Sequence, residues 1–175
     1  MSCSLPKPAA LAVLACALSA CGATGERSIP LFRGEIGHWR HFEVETDGEH
    51  VCYIVGEPMN QIGDVEGRGT PGLLVSKRPK PRGTEVSVQP GYEYLQNSTV
   101  EIIVDDKTFS MFTRGESAWT KYDYDDAQLI EALRQADKAT ITVKGVSSSN
   151  VTTTDTYSLL GFDDAYKRML SGCAN

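Results

Sequence analysis

The sequence predicts a mainly β fold, a single β-sandwich or partly closed barrel domain with two short helices, and three observations carry that prediction. Short apolar segments alternate with period two along most of the chain, turn residues punctuate them, and only two stretches switch to the 3.6-residue period of an amphipathic helix. The 175 residues are 41% hydrophobic and 23% charged, the composition of one globular domain rather than of a disordered or multi-span membrane protein. No internal repeat is visible. The formal net charge of -6 excludes the broad basic surface on which phosphate neutralisation rests, so nucleic acid is not an expected partner.

Residues 1–20 read as an export signal. Ala9 to Ala20 is a run of small and apolar residues preceded by Lys7, too short for a spanning helix, which needs about 20 apolar residues. Its end, Leu18-Ser19-Ala20-Cys21, resembles the lipobox of bacterial lipoproteins. That resemblance implies a lipidated Cys21 as the first mature residue and a membrane anchor of several acyl chains, each buried methylene contributing about 0.8 kcal/mol. The competing reading is an ordinary signal peptide cleaved after Ala20 or Ala23, with Cys21 a plain thiol. Gly22 follows the cysteine where inner-membrane retention would use Asp, which points to an outer-membrane lipoprotein facing the periplasm or the surface.

From Gly22 to about Gly34 the chain is small, polar and unpatterned. Residues 21–34 are expected to act as a tether reaching roughly 20 Å by random-coil scaling, with the folded domain over residues 35–175. The strand period then shows at Val51, Tyr53 and Val55; at Val86 and Val88; at Val100, Ile102 and Val104; at Phe109 and Met111; and at Ile141 and Val143. About eight strands are expected by this spacing. Cys52 and Ile54 give the first of these an apolar second face, which marks it as a central strand. Asp105-Asp106-Lys107 closes a hairpin, because Asp tolerates the left-handed conformation that such turns require. Pro90-Gly91 and Lys144-Gly145 are expected to end two further segments.

The first helix begins at Asp125 with Gln128 three positions on, as in a capping box, and carries Leu129, Ile130, Leu133 and Ala136 on one stripe. The second places Phe162, Tyr166, Met169, Leu170 and Cys173 on one face, which turns the last cysteine inward. Removal of the signal takes Cys3 and Cys16 away, and lipidation uses Cys21. The mature chain then has 16 cationic against 23 acidic side chains, net -7, and two thiols, Cys52 and Cys173, that lie 121 positions apart. In an oxidising envelope compartment they are expected to pair, a loop that long giving about 4 to 5 kcal/mol on the chain-entropy model. The alternative is two buried, unpaired thiols.

Val51-Cys52-Tyr53-Ile54-Val55, Arg78-Pro79, Glu85-Val86-Ser87-Val88, Gly91-Tyr92, Phe109 to Phe112, Ala118-Trp119, Val143-Lys144-Gly145 and Thr153-Thr154-Asp155-Thr156-Tyr157-Ser158-Leu159 follow one another in this order. So ordered, and ending in Gly161-Phe162 and a helix to a terminal cysteine, the chain resembles the invasion-associated locus B family across nearly the whole mature domain. The resemblance implies an exported envelope protein with a link to host-cell invasion, and it supplies no catalytic mechanism. The chain departs from the family in its lipobox, where many members are soluble periplasmic proteins, and in Asp106, where the hairpin often has Gly.

No catalytic residues are assigned. No nucleophile elbow, phosphate loop or dinucleotide fingerprint occurs, and no cofactor is expected. His38, His41 and His50 lack the spacing of a zinc motif, and Asp123, Asp125 and Asp126 lack that of a calcium loop, so no metal is expected either. Lys77, Arg78, Lys80 and Arg82, interleaved with Pro79 and Pro81, concentrate positive charge on an acidic chain. They read either as a solvated connection between strands or as an extended basic arm that meets an anionic partner. The expected function is that of a non-catalytic, membrane-anchored envelope lipoprotein supporting host-cell attachment or invasion through protein or glycan binding. The alternative is a periplasmic small-ligand binder or hydrolase, marked by a deep apolar cavity with converging polar groups.

Overall fold

The computed structural model describes residues 28–79, 81 and 83–173. Cys21, Lys80 and Arg82 lie outside them. The elements run β1 (Leu31–Ile36), β2 (Trp39–Thr46), β3 (Glu49–Gly56), β4 (Asn60–Ile62), β5 (Gly72–Lys77), β6 (Thr84–Gln89), β7 (Thr99–Val104), β8 (Lys107–Arg114), β9 (Ser117–Trp119), α1 (Asp123–Gln135), β10 (Thr140–Val146), β11 (Thr152–Ser158) and α2 (Phe162–Gly172). The mainly β class with two helices is as the sequence predicts.

The eleven strands make one antiparallel sheet in the order β1-β2-β3-β5-β6-β9-β8-β7-β10-β11-β4. Hairpin connections dominate the order. The ladder does not close, and β1 and β4 remain its open edges. The sheet nevertheless curls until the β1–β2 turn meets the β11–α2 connection, where the His38 N–H donates to the Leu160 carbonyl and the Trp39 indole N–H to the Ser158 carbonyl, each at 3.0 Å. Gly37 and Gly161 allow that approach. Both have positive φ, and a Cβ on either would fall 2.1 to 2.4 Å from a carbonyl oxygen of the other connection.

One face of the curled sheet forms the core. Along β7 the pattern is clean, with Val100, Ile102 and Val104 buried and Thr99 and Glu101 exposed. β3 lies between β2 and β5, as expected of a central strand, with Cys52 and Ile54 fully buried and Tyr53 and Val55 half-buried on the other face. At the β7–β8 hairpin Asp105 takes a left-handed φ of 52°, and its carboxylate accepts the N–H groups of Asp137 and Lys138 at 3.0 Å, so one residue makes the turn and holds the chain leaving α1.

Four expectations need correction. Eleven strands replace the eight or so read from alternation, because β4 and β9 are three residues long and β1 is an exposed edge without apolar alternation. β1 begins at Leu31, so the tether expected through Gly34 overlaps a paired strand. Lys144-Gly145 does not end a strand. β10 runs through it to Val146, and the glycine is there because a Cβ would meet the Tyr94 ring at 2.8 Å. The capping box at Asp125 is absent, since α1 starts at Asp123 after Tyr122 with no side-chain cap. Asp126 instead turns inward, where its carboxylate accepts the Val86 N–H at 2.8 Å. β9 pairs with β6 only at Ser87 and Val88, so the Val86 donor lies beyond the ladder and takes a side-chain acceptor.

Candidate functional site

The outward face of β1, β2 and β3 carries the structure's most continuous aromatic surface. Cross-strand register sets Phe32 opposite Phe42 and Phe42 opposite Tyr53, and the rings form a row with centroids 5.4 and 5.2 Å apart. Phe32 is 53% exposed at the sheet edge, beside Leu31 at 54%. The Arg40 guanidinium lies 6.0 Å from the Phe42 ring centroid and pairs with Glu57. Beyond Phe42 a shallow groove of about 220 Å³ is lined by Arg40, Tyr53, Val55, Glu57 and Leu74. Burial pushes the Tyr53 hydroxyl pKa up, with Arg40 opposing. The surface is apolar and flanked by one charge of each sign, with nothing positioned for bond chemistry.

The basic segment lies elsewhere. β5 and β6 form a hairpin in which Lys77 stands opposite Thr84, and the Arg78 N–H donates to the Gly83 carbonyl at 2.9 Å. Arg78 and Gly83 are therefore bonded to each other at the tip of that hairpin. Lys77 also pairs in register with Cys52, so this tip leaves the end of the sheet where α2 finishes. Lys77 and Arg78 are half-buried.

At that end Cys52 of β3 and Cys173, just after α2, form the expected disulfide, with Cα atoms 5.9 Å apart. The register of β2 with β3 sets Glu43 opposite Cys52 and Glu45 opposite His50. The His50 Nε2 lies 3.6 Å from the Cys52 sulfur, and its Nδ1 lies 2.6 Å from a Glu45 oxygen. His41 is buried two residues before Glu43, with neither ring nitrogen in a protein hydrogen bond. Burial lowers its pKa, Glu43 opposing and Arg168 and Arg33 assisting, so the ring is held neutral. Of the three histidines noted in the sequence, His41 and His50 share this corner, whereas His38 sits exposed in the β1–β2 turn.

The opposite end holds a polar cluster that sequence reasoning missed. The inward residues of β11 are Thr153, Asp155 and Tyr157. Arg68, from the loop before β5, donates to Asp155 at 2.5 Å and to the Pro90 carbonyl at 2.9 Å, with its guanidinium 5.2 Å from the Tyr92 ring centroid. The Tyr92 hydroxyl meets the Thr153 hydroxyl at 2.5 Å. Burial raises the Asp155 carboxyl above the ordinary aspartate range, opposed by Arg68. The available signal was the strand period itself, since an aspartate on the inward parity of an amphipathic strand demands a cation.

A cleft of about 1070 Å³ between α1 and the β7–β8 turn is lined in part by Asp105, Asp106, Asp125, Glu131 and Asp137. Its acidic rim is unlike the enclosed apolar cavity that marks a small-ligand site. No helix among the described residues is long and apolar enough to cross a membrane.

Comparison with known proteins gives one match. The family model described as "Invasion associated locus B (IalB) protein" matches residues 40–170, which take in Phe42, Tyr53, Cys52, Arg68 and Asp155 but neither Phe32 nor Cys173. No curated protein matches. No solved structure matches.

Proposed function

The chain belongs to the invasion-associated locus B family, and from that premise we propose that it is a non-catalytic envelope lipoprotein that binds a protein or glycan and supports attachment to host cells. Cys21 carries the anchor in this reading, because the lipobox falls at the end of the apolar run where lipoprotein processing requires it. The single structural observation that supports binding is the row Phe32, Phe42 and Tyr53, an aromatic surface beside an open sheet edge. Polar groups that could be mistaken for chemistry are instead engaged within the fold, as at Arg68 with Asp155 and at Asp126 with Val86.

Two experiments test this reading. Globomycin should accumulate the precursor, and Cys21→Ser should escape lipoprotein processing; a variant that is processed and fractionates with membranes as the parent does removes the anchor. The exported protein should bind erythrocyte membranes above its own envelope fractions, and Phe42→Ala should weaken that binding. Equal binding by parent and variant removes the aromatic face from the function.

A further inference from the structure

We propose that the Cys52–Cys173 corner is a redox-gated zinc site, closed as the disulfide and opened by a dithiol, in which both thiolates and His50 bind the metal and Glu43 or His41 completes the shell. The inference is independent of the attachment reading. Its basis is two overlapping groups of donor atoms. His50, Cys52 and Cys173 place one ligand atom each within 4.8 Å of one another, and so do His41, Glu43 and Cys52.

The His50–Cys52 edge fits a tetrahedral ion, and the two sulfurs, bonded to each other here, must separate on reduction. Zinc–sulfur and zinc–nitrogen bonds of about 2.3 and 2.0 Å at the tetrahedral angle set the N···S edge at about 3.5 Å, and His50 Nε2 lies 3.6 Å from the Cys52 sulfur. The Glu43 Oε2 lies 3.9 Å from the same nitrogen. The other nitrogen of His50 is already held by Glu45 at 2.6 Å, the carboxylate–histidine arrangement that fixes the tautomer and orientation of a ligating imidazole. His41 is 3% exposed and its ring nitrogens have no protein partner, an unusual state for a buried imidazole in a structural role. Space for the donors comes from Gly172, where a Cβ would stand 3.0 Å from the Glu43 Oε1, 3.3 Å from the His41 Cε1 and 3.7 Å from the Cys52 sulfur.

The gate follows from charge and hardness. A disulfide offers no anionic sulfur, and Glu43 is neutralised by Arg33, so the oxidised corner is a poor cation site. An external dithiol attacks the half-buried Cys173 sulfur, forms a mixed disulfide and releases Cys52; its second thiol then displaces Cys173 and leaves the reductant as a disulfide. Two electrons and two protons pass to the protein. Zinc then replaces the two thiol protons, which go to solvent, and two thiolates supply the charge that the oxidised form lacks.

The test uses a Cys21→Ser chain exported behind an ordinary cleavable signal peptide in place of residues 1–20, so that Cys52 and Cys173 are its thiols. After reduction with a phosphine, Zn²⁺ should bind at one ion per chain and Co²⁺ should give thiolate-to-metal charge-transfer absorption, while the oxidised chain shows neither. Glu45→Gln should weaken Zn²⁺ affinity by about 10- to 100-fold, the usual effect of removing a partner that orients a ligand, and His50→Ala should weaken it further. If reduction unfolds the chain, Zn²⁺ should restore its circular dichroism. A reduced chain that takes up no zinc, that stays unfolded with zinc, or that binds it equally well as His50→Ala overturns the proposal, as does equal uptake by the oxidised chain.

Discussion

Two buried ties hold the two ends of this sheet, and they are made of different chemistry. At one end a covalent bond joins β3 to the residue after α2; at the other an ion pair joins the loop before β5 to β11. The bond acts chiefly on the unfolded chain, whose freedom it removes. The ion pair acts on the folded chain, where each partner's desolvation is tolerable only while the other remains. The first tie should thus respond to reductant and the second to pH, and each response can be measured without the other.

The largest expected effect lies with the ion pair. Arg68 and Asp155 side chains are 9% and 3% exposed, and Arg68→Met leaves Asp155 buried without a cation, a loss of about 3–5 kcal/mol at neutral pH. The sign of its pH dependence follows from the Asp155 carboxyl, which burial raises and Arg68 opposes. A carboxyl with a raised folded-state pKa favours the fold below the ordinary aspartate value, and that contribution is lost as pH rises through the folded value. Without Arg68 the raised value climbs further, so the deficit of Arg68→Met should shrink as the solution is acidified toward the ordinary aspartate range. Urea unfolding of variant and parent across pH measures this. A deficit that is constant or grows in acid breaks the contrast.

The disulfide comes next. Cys52→Ala or Cys173→Ala should cost about 2–5 kcal/mol under oxidising conditions, and excess reductant should bring the metal-free parent to a similar stability. Free thiols found by non-reducing mass spectrometry of protein taken from the envelope would remove this tie altogether.

The two ties were not equally legible. Cys173 was readable because Phe162, Met169 and Cys173 share one helical stripe, and Cys52 because it stands on the inward parity of an apolar strand; two thiols in a chain expected to be exported leave one pairing. Arg68 gave no such signal. It lies outside any strand, and its partner sits 87 positions away, in contact only once the sheet has curled. The role of Asp126 was hidden for a related reason: a carboxylate near a helix start suits a cap, and only the short β9 reveals a stray Val86 N–H that needs it more. Local period and turn chemistry are written along the chain, whereas the partner of a buried charge depends on closure of the whole sheet.

Asp126 tests whether a third, smaller tie behaves like the ion pair. Its carboxyl is raised by burial, opposed by the bond from Val86, so its contribution also favours the fold in acid and is lost as pH rises through the folded value. Asp126→Ala strands a buried backbone donor and should cost about 1–3 kcal/mol. Asp126→Asn keeps the acceptor oxygen and should lose less at neutral pH while removing the pH dependence. Equal losses in both variants would mean that the neutral acceptor which Asn retains does not hold α1 to β6.

The smallest effect on stability is expected at the basic β5–β6 hairpin connection. No ion pair among the described residues involves Lys77 or Arg78, although both sit at the disulfide end of the sheet. Replacing Lys77, Arg78, Lys80 and Arg82 with Gln should therefore change stability by no more than about 0.5 kcal/mol. If the tip meets an anionic surface, the same replacement should weaken binding of the exported protein to host membranes and to lipopolysaccharide and flatten its dependence on salt, because four screened attractions are lost. Arg78→Lys keeps the charge and removes the bidentate fork, so a loss in that variant as large as in the fourfold one would indicate recognition of a particular carboxylate or phosphate rather than general attraction. Binding unchanged across a salt series in the fourfold variant would leave the tip as a solvated connection, with charge that keeps neighbouring chains from pairing.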